Sequence, residues 1–437
     1  MEDLVWDRLA QFPEIKHYHV AFSGGLDSCV LLHCMAQLRA QSRVHSFSAL
    51  HVHHGLSDDA DDWDRHCQTL CKQLDIPYQL LKVNAHAEKG EGPEAAARNA
   101  RYLALAGFIG HEDALLTAHH QNDQAETLLL QLMRGSGVPG LAAMPVSGLF
   151  SKGLLLRPLL DVTRAQLKAY ALRNELDWVE DSSNEDTRFD RNYMRHEIVP
   201  RLLTRWPGTL NNVARTARHM ADATELVDDL ACIDLGQCLH ASRLSVIALK
   251  GLSGPRQRNV LRYWFRQQSL AVPTDRQMQH ILNDVLEARE DAIPCVRWAD
   301  VELRRYQQFL YAMHALTGHD VKRKIEWDLS NSLTIAGSGS VSVQSCSEKG
   351  LNASLYKADN LTIRFRQGGE RLIPAGRHHH HDLKSLLQEA HIPPWERDRI
   401  PLLYQQNELI AVANVCICEG WQAEAGQQGL CIKWAPE

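Results

Sequence analysis

His19-Val20-Ala21-Phe22-Ser23-Gly24-Gly25-Leu26-Asp27-Ser28 is the stretch on which the fold turns. Four residues of strand character run into two glycines, then into a helical apolar pattern from Asp27 to Ala40. The glycines let the backbone approach a charged oxygen closely and adopt dihedrals that other residues avoid. Successive N–H groups at the start of the next helix form an anion cradle, and Ser23 and Ser28 add hydroxyl donors. Asp27 is the odd member, because a carboxylate repels a phosphate unless a cation such as Mg²⁺ bridges the two. The loop lacks the lysine of a Walker A site and is not G-x-G-x-x-G. A glycine turn with an Asp-Ser helix cap would read the same in isolation. Its place after the first strand of an alternating pattern favours a phosphate.

That pattern extends outward from the loop. His45–His53, Tyr78–Val83, Ala114–Ala118 and Leu154–Pro158 read as strands, separated by helices over Asp58–Leu74, Pro93–Phe108 and Asp123–Met133 and followed by one over Arg164–Asn174. Strands spaced by helices imply an α/β, doubly wound, Rossmann-like parallel sheet, with ligands beyond the carboxyl ends of the strands. From about Trp206 the strand signal fades. Asn211–Leu230, Gly254–Gln268 and Asp275–Arg289 read as helices, so a helical middle domain is expected. Beyond Lys322, Leu333–Gln344, Leu361–Phe365 and Glu408–Val415 alternate like strands around a helix at His381–Ala390, giving a small α+β C-terminal domain.

A second chemical signal is Leu116-Thr117-Ala118-His119-His120-Gln121-Asn122-Asp123-Gln124-Ala125-Glu126-Thr127, followed by Arg134-Gly135-Ser136-Gly137. Asp123 and Glu126 are three apart, so they share a helix face at the carboxyl edge of the sheet. Two acids there can hold Mg²⁺ or the cationic ends of an amino acid; the alternative is a capping pattern with solvated acids.

The 437 residues carry 47 Lys+Arg against 53 Asp+Glu, a net charge of -6 that argues at first against a nucleic-acid partner. The charge is uneven. Between Thr187 and Arg218 lie Arg188, Arg191, Arg195, Arg201, Arg205, Arg215 and Arg218 against only Asp190 and Glu197, a stretch that can meet phosphates or form a salt-bridged helix face. No apolar run approaches the roughly 18 residues of a membrane span. The acidic, amphipathic N-terminus does not read as a secretory signal. Eleven cysteines without a C-x-x-C pair suit free thiols in a reducing cytoplasm.

The string Ser23–Ser28 resembles the PP-loop of the N-type ATP pyrophosphatases, which split ATP between its α and β phosphates and adenylate a carbonyl-type oxygen. Further stretches, in order, are His53-His54-Gly55-Leu56, Glu94-Ala95-Ala96-Ala97-Arg98-Asn99-Ala100-Arg101-Tyr102, Arg157-Pro158-Leu159-Leu160 and Glu180-Asp181-Ser182-Ser183-Asn184 leading into Arg191-Asn192 and Arg195. With Asp382-Leu383-Lys384 and Ile392-Pro393-Pro394-Trp395-Glu396-Arg397-Asp398, they resemble the tRNA(Ile)-lysidine synthetase family over most of the chain.

That resemblance implies ligation of L-lysine to C2 of the wobble cytidine in an isoleucine tRNA with a CAU anticodon, using ATP and Mg²⁺. It implies that Ser23, Gly24, Gly25, Leu26, Asp27 and Ser28 bind ATP, with Asp27 on Mg²⁺, and that His51, Val52 and His53 lie beside adenine. Asp123 and Glu126 would hold lysine or metal, and Arg98, Arg101, His120, Arg191 and Arg195 would face tRNA phosphates or the cytidine. It divides the chain into a catalytic domain, 1–215, and tRNA-binding domains, 216–322 and 323–437. A homodimer is compatible with the family, which includes dimers and monomers. Asn122 stands where many relatives have an acid, and His378–His381 where more Lys and Arg are expected.

Cys29, Cys34, Cys67, Cys71, Cys416 and Cys418 read as buried thiols. This weighs against a tRNA thiolase of the same superfamily, which usually needs a reactive Cys pair or an iron–sulfur cluster. An ammonia-using synthetase and an RNA-binding module with a decayed nucleotide site are the other readings; no glutaminase-like segment appears, and the intact loop and acids oppose decay. In Arg262-Tyr263-Trp264-Phe265-Arg266 the aromatics are expected in the core with the arginines outside. Arg304-Arg305 and Lys322-Arg323-Lys324 extend an RNA track or are solvated.

Overall fold

The structure is a computed structural model. It describes all residues except 54, 56–59, 84–92, 182–184, 290, 347–349, 356–360, 425–426 and 437. His54, Leu56 and Ser182-Ser183-Asn184 of the motifs therefore lie outside the described residues, as do the side chains of Glu94 and Ala95. The chain divides into two compact units, Met1–Val227 and Asp228–Glu437, the division falling inside the long helix Thr209–Cys238.

The first unit runs α1 (Glu2–Leu9), β1 (His17–Ala21), α2 (Leu26–Ala40), β2 (Phe47–His53), α3 (Ala60–Gln73), β3 (Tyr78–Lys82), α4 (Pro93–Ala106), β4 (Asp113–Leu116), α5 (Gln121–Met133), α6 (Val138–Leu141), β5 (Ser147–Phe150), β6 (Gly153–Leu156) and α7 (Arg164–Arg173). The sheet order is β3-β2-β1-β4-β6-β5. β1 pairs in parallel with β2 on one side and β4 on the other, and β6 is parallel to β4. The winding direction thus changes at β1, and a crevice opens beyond the carboxyl ends of β1 and β4. The doubly wound sheet has one addition, the antiparallel edge strand β5. Its sequence, Ser-Gly-Leu-Phe, is too short to display alternation, and the tight turn at Ser151 can join only antiparallel neighbours.

α2 is apolar around nearly its whole circumference because neighbours cover it on several sides. Val30, Leu31, Leu32, Cys34, Met35 and Leu38 are all buried, in one core with Val20, Leu116 and Leu167. Each large side chain contributes about 1.5–3 kcal/mol by leaving water. The helix that carries the glycine loop at its N-terminus is therefore firmly seated.

In the second unit, helices at Gly254–Gln267 and Asp275–His280 match the helical expectation, the latter continuing into a π-helical turn at Ile281–Leu286. Trp264 and Phe265 are in the core. Arg262 and Arg266 pair outside it with Asp275 and Asp228. The middle segment is nevertheless not only helical. Leu239–His240, Arg243–Ser245, Cys295–Trp298, Val301–Tyr306 and Phe309–His314 form a five-stranded antiparallel sheet.

Charged residues at inward positions hid those strands. Glu302, 1% exposed, is paired with Arg297 and Arg304. Arg305, 3% exposed, donates through Nη1 to the carbonyls of Leu286 at 2.9 Å and Ala288 at 2.7 Å, closing the end of the π-helical turn. Arg305 is thus neither solvated nor on an RNA track. Arg305→Met is expected to destabilise this unit by at least about 2 kcal/mol, the scale of charged hydrogen bonds lost to buried carbonyls. Urea unfolding followed by circular dichroism measures it; an unchanged midpoint would refute the assignment.

The C-terminal part is α+β. A five-stranded sheet is built on Leu361–Arg364, Leu402–Gln405 and Glu408–Val412, and a four-stranded one on Gly339–Cys346 and Gly429–Ala435, with a helix at Leu383–Glu389. The run Leu333–Gln344, which alternates like a strand in the sequence, is a hairpin that turns at Gly337. His378–His380 are exposed. Among the described residues no group of three or more His, Cys, Asp or Glu is arranged to hold a metal ion, and no helix is long and apolar enough to cross a membrane.

Candidate active site

The loop after β1 is held by its own hydroxyls. Ser28 Oγ donates to the Gly25 carbonyl at 2.9 Å, and Ser23 Oγ lies 3.1 Å from Ser28 Oγ. Its outer side is braced by Val179, whose N–H donates to the Gly24 carbonyl at 3.0 Å. Gly24 has φ +81°, and a Cβ there would lie 2.8 Å from Cys67 Sγ and 3.0 Å from Val179 Cγ2. Gly25 has φ −76°, and a Cβ would meet nothing nearer than Ser23 Oγ at 3.6 Å. The two glycines therefore serve different ends. Gly24→Ala is expected to cost about 2 kcal/mol of stability from left-handed strain alone. Gly25→Ala is expected to lower the melting temperature less than Gly24→Ala, since only the N-cap preference of α2 is lost, while weakening nucleotide binding through a Cβ beside the cradle. Thermal melts beside ATP titrations separate the two.

Asp27 stands in the first turn of α2. Its Oδ2 lies 3.4 Å from His120 Nε2, and its Oδ1 is buried with no partner among the described residues. A carboxylate oxygen stripped of water and left unpaired is costly, and a hard cation with oxygen ligands would satisfy it. The residues present thus fit Mg²⁺ at Asp27.

Across the crevice, His120 caps α5. The Asp123 N–H donates to His120 Nδ1 at 3.3 Å, and the His120 N–H donates to Asp123 Oδ2 at 3.0 Å. This reciprocal cap places Asp123 and Glu126 on one buried face, 7% and 1% exposed. A short helix, Asp190–Tyr193, continuing as a π-helical turn at Met194–Ile198, presents two arginines to them. Arg191 donates through Nε to Glu126 Oε2 at 3.0 Å and through Nη2 to Asp123 Oδ1 at 3.1 Å. Arg195 donates to Glu126 Oε1 at 2.8 Å and Oε2 at 2.9 Å, and to Asp123 Oδ1 at 3.1 Å.

Burial alone would raise the Asp123 pKa, but the charges of His120 and Arg191 outweigh it and hold the group below its ordinary value. Burial would likewise lower His120, yet its bond to Asp27 and the charges of Asp123, Asp27 and Glu126 raise it. His119 goes the other way. Burial, reinforced by Arg157, Arg191 and Arg98 against the pull of Asp123, holds its imidazole down to about 3, so it is neutral at physiological pH.

The site thus brings together Ser23–Ser28, His120, Asp123, Glu126, Arg191 and Arg195. Arg98 and Arg101, on α4, lie within electrostatic reach of this group, Arg98 acting on His119 and Arg191 on Arg101, with Arg98 over the Tyr102 ring at 5.1 Å. His51 turns inward, 5% exposed, with Nδ1 2.8 Å from the Phe22 carbonyl, and His53 Nε2 lies 3.2 Å from Asp61. Asn122 points elsewhere: its Oδ1 accepts the Arg164 N–H at 3.0 Å, which ties α5 to the start of α7. Cys67 is buried as expected, but its part, with Val179, in shaping Gly24 carries no signal in the sequence. Cys29 and Cys71 are buried, and their thiols are pushed up to about 12, so at neutral pH they are protonated and inert.

Family models match three segments of the chain. A PP-loop domain model matches residues 5–202, a TilS substrate binding domain model residues 244–311, and a TilS substrate C-terminal domain model residues 361–434. The chain is 44% identical over 422 residues to a tRNA(Ile)-lysidine synthase of Coxiella burnetii, covering 96% of this chain and 94% of that one. It is 42% identical over 427 residues to a tRNA(Ile)-lysidine synthase of Pseudomonas aeruginosa, covering 95% and 93%. The chain belongs to the tRNA(Ile)-lysidine synthase family.

Proposed function

We propose that this chain ligates lysine to C2 of the wobble cytidine of an isoleucine tRNA with a CAU anticodon, consuming ATP to AMP and pyrophosphate. The observation that carries the reading is the pairing across one crevice of an anion loop and a buried carboxylate pair, joined by His120 between Asp27 and Asp123. The loop N–H groups and the Ser23 and Ser28 hydroxyls bind the ATP phosphates. Asp27 holds Mg²⁺, which when bound offsets phosphate charge.

C2 of cytosine is unreactive toward amines while it carries its own oxygen. Transfer of adenylate to that oxygen, with loss of pyrophosphate, turns it into a leaving group. The lysine ε-amine then forms the C2–N bond, the C2–O bond breaks, and AMP departs with the former cytidine oxygen. The amine must first lose a proton, and Asp123 or Glu126 is placed to orient it and accept that proton. In the structure both acids are occupied by Arg191 and Arg195. Incoming phosphates or the adenylated base supply other partners for the guanidiniums and release the carboxylates to lysine.

Arg188, Arg201 and Arg205 are exposed beside Phe189, Tyr193 and Trp206, a basic and aromatic surface suited to RNA. The wobble base lies in a single-stranded loop and can be splayed into the crevice at low cost. Within this reading residues 1–215 carry catalysis, and 216–322 and 323–437 bind tRNA in the cytoplasm, where tRNA and ATP reside. Incubation with labelled lysine, ATP, Mg²⁺ and unmodified isoleucine tRNA is expected to label the RNA in an ATP-dependent way. Absence of label would overturn the reading, and equal labelling of an initiator methionine tRNA would remove its specificity.

A further inference from the structure

Far along the sequence from this chemistry, the second unit holds two thiols that no catalytic step uses. Cys346 ends the strand Gly339–Cys346, and Cys431 lies in the strand Gly429–Ala435. The strands are antiparallel, with Gln344 opposite Cys431 and Cys346 opposite Gly429. Side chains two apart on a strand share a face, so the two cysteines are diagonal neighbours on one side of the sheet. Their sulfurs lie 2.7 Å apart, although 85 residues separate them in sequence. Among the described residues no other two thiols come within hydrogen-bond reach of each other.

The neighbouring chain makes room for this contact. A Cβ at Gly350 would lie 2.5 Å from Cys346 Sγ and 2.5 Å from the Leu430 nitrogen, so only glycine leaves space for the sulfur. Both cysteines are half-buried, which keeps them within reach of a small molecule in solution. Other thiols differ in one respect or the other. Cys29, Cys67 and Cys71 are buried, while Cys232 and Cys295 are exposed without a sulfur neighbour. Burial and the contact with Cys431 push the Cys346 thiol up to about 11 against the pull of Lys433, so it is protonated at neutral pH. The pair therefore suits slow, lasting oxidation and not rapid exchange.

We propose that Cys346 and Cys431 are a thiol modification site, at which a small-molecule disulfide closes a reversible cross-link that braces the C-terminal part of the second unit. One cysteine, as its thiolate, attacks a sulfur of the incoming disulfide. The S–S bond breaks, and one small thiol leaves with the proton that the cysteine gave up. The second cysteine attacks the protein sulfur of the mixed disulfide, forming the Cys346–Cys431 bond and releasing the second small thiol with the second proton. Two protein thiols are thus oxidised while one small disulfide is reduced to two thiols. The link joins positions 85 residues apart, so it removes freedom from the unfolded chain and leaves the folded pair nearly where it stands. Neither lysine nor tRNA enters this chemistry.

The test incubates the reduced full chain with glutathione disulfide until exchange is complete. Remaining thiols are then alkylated in denaturant, and the digested peptides are mapped by mass spectrometry. A peptide pair linked through Cys346 and Cys431 is expected, and dithiothreitol should release it. Thermal melts of the same samples are expected to show the transition of the second unit raised by roughly 5–10 °C, as for a cross-link that closes a long loop. Cys431→Ser, a near-isosteric change, is expected to abolish both the link and the rise. The peptide map of the parent chain is the deciding measurement, so a variant that folds poorly does not obscure the result. Cys346 and Cys431 both found alkylated, carrying only glutathione, or linked to another cysteine would overturn the proposal. A linked pair with no rise in melting temperature would overturn the bracing role.

Discussion

Glu126→Gln is expected to lower kcat/KM for lysine by about 10²–10⁴-fold, the range for loss of a positioned general base. Glu126 is 1% exposed and accepts three hydrogen bonds from two arginines. Glutamine keeps the shape and one acceptor but cannot take a proton or balance an ammonium. Adenylation of the tRNA needs no lysine, so pyrophosphate release in its absence should persist. The two half-reactions thus separate a catalytic role from a structural one. Stability should also fall, because removing one partner from a buried ion pair costs about 3–5 kcal/mol, less here because both arginines are partly exposed. Assays must therefore be run well below the melting point. If lysine transfer survives while only the melting temperature drops, the acids are a structural clasp.

Asp27→Asn separates activity from stability. ATP cleavage is expected to drop about 10³-fold, in keeping with the several kcal/mol a bound cation supplies. Stability in the absence of Mg²⁺ should change little, because relief at the unpartnered Oδ1 is offset by loss of the charge that Oδ2 presents to His120. Pyrophosphate release against Mg²⁺ concentration, beside thermal melts with and without the ion, reads both. An Asp27→Asn variant that still released pyrophosphate in a Mg²⁺-dependent way would remove Asp27 from the metal.

Much of this site was legible in the sequence because its parts are local. The glycine loop, the helix after it and the Asp123–Glu126 face each follow from neighbours a few residues apart. The pairing of those acids with Arg191 and Arg195 spans 65 to 72 residues, and no periodicity reports it. The expectation that the arginines face phosphates and the acids face lysine treats the two sets as separate. The fold joins them into one cluster. The part played by Val179 and Cys67 was invisible for a similar reason, since their effect on Gly24 is purely spatial. The sheet in the middle segment was missed because Glu302 and Arg305 break the apolar alternation that marks a strand.

The π-helical turn Met194–Ile198 has a consequence for how the gene can change. A π turn holds more residues than the 3.6 of an α turn, and it follows directly on the helix that carries Arg191. Loss of a single codon there would let the backbone relax to a plain α-helix, because the wider turn already takes up one extra residue, and would leave the side chains beyond it close to their present directions. Val199–Arg205 would then keep its exposed arginines on their present side, while the residues inside the turn, Arg195 among them, would be reset against the carboxylates. A codon inserted at the Ser151-Lys152 turn would merely lengthen a surface hairpin. The extra residue at 194–198 thus sets where Arg195 meets the carboxylates without redirecting the helix that follows, and in this stretch the spacing of the chain is itself part of the active site.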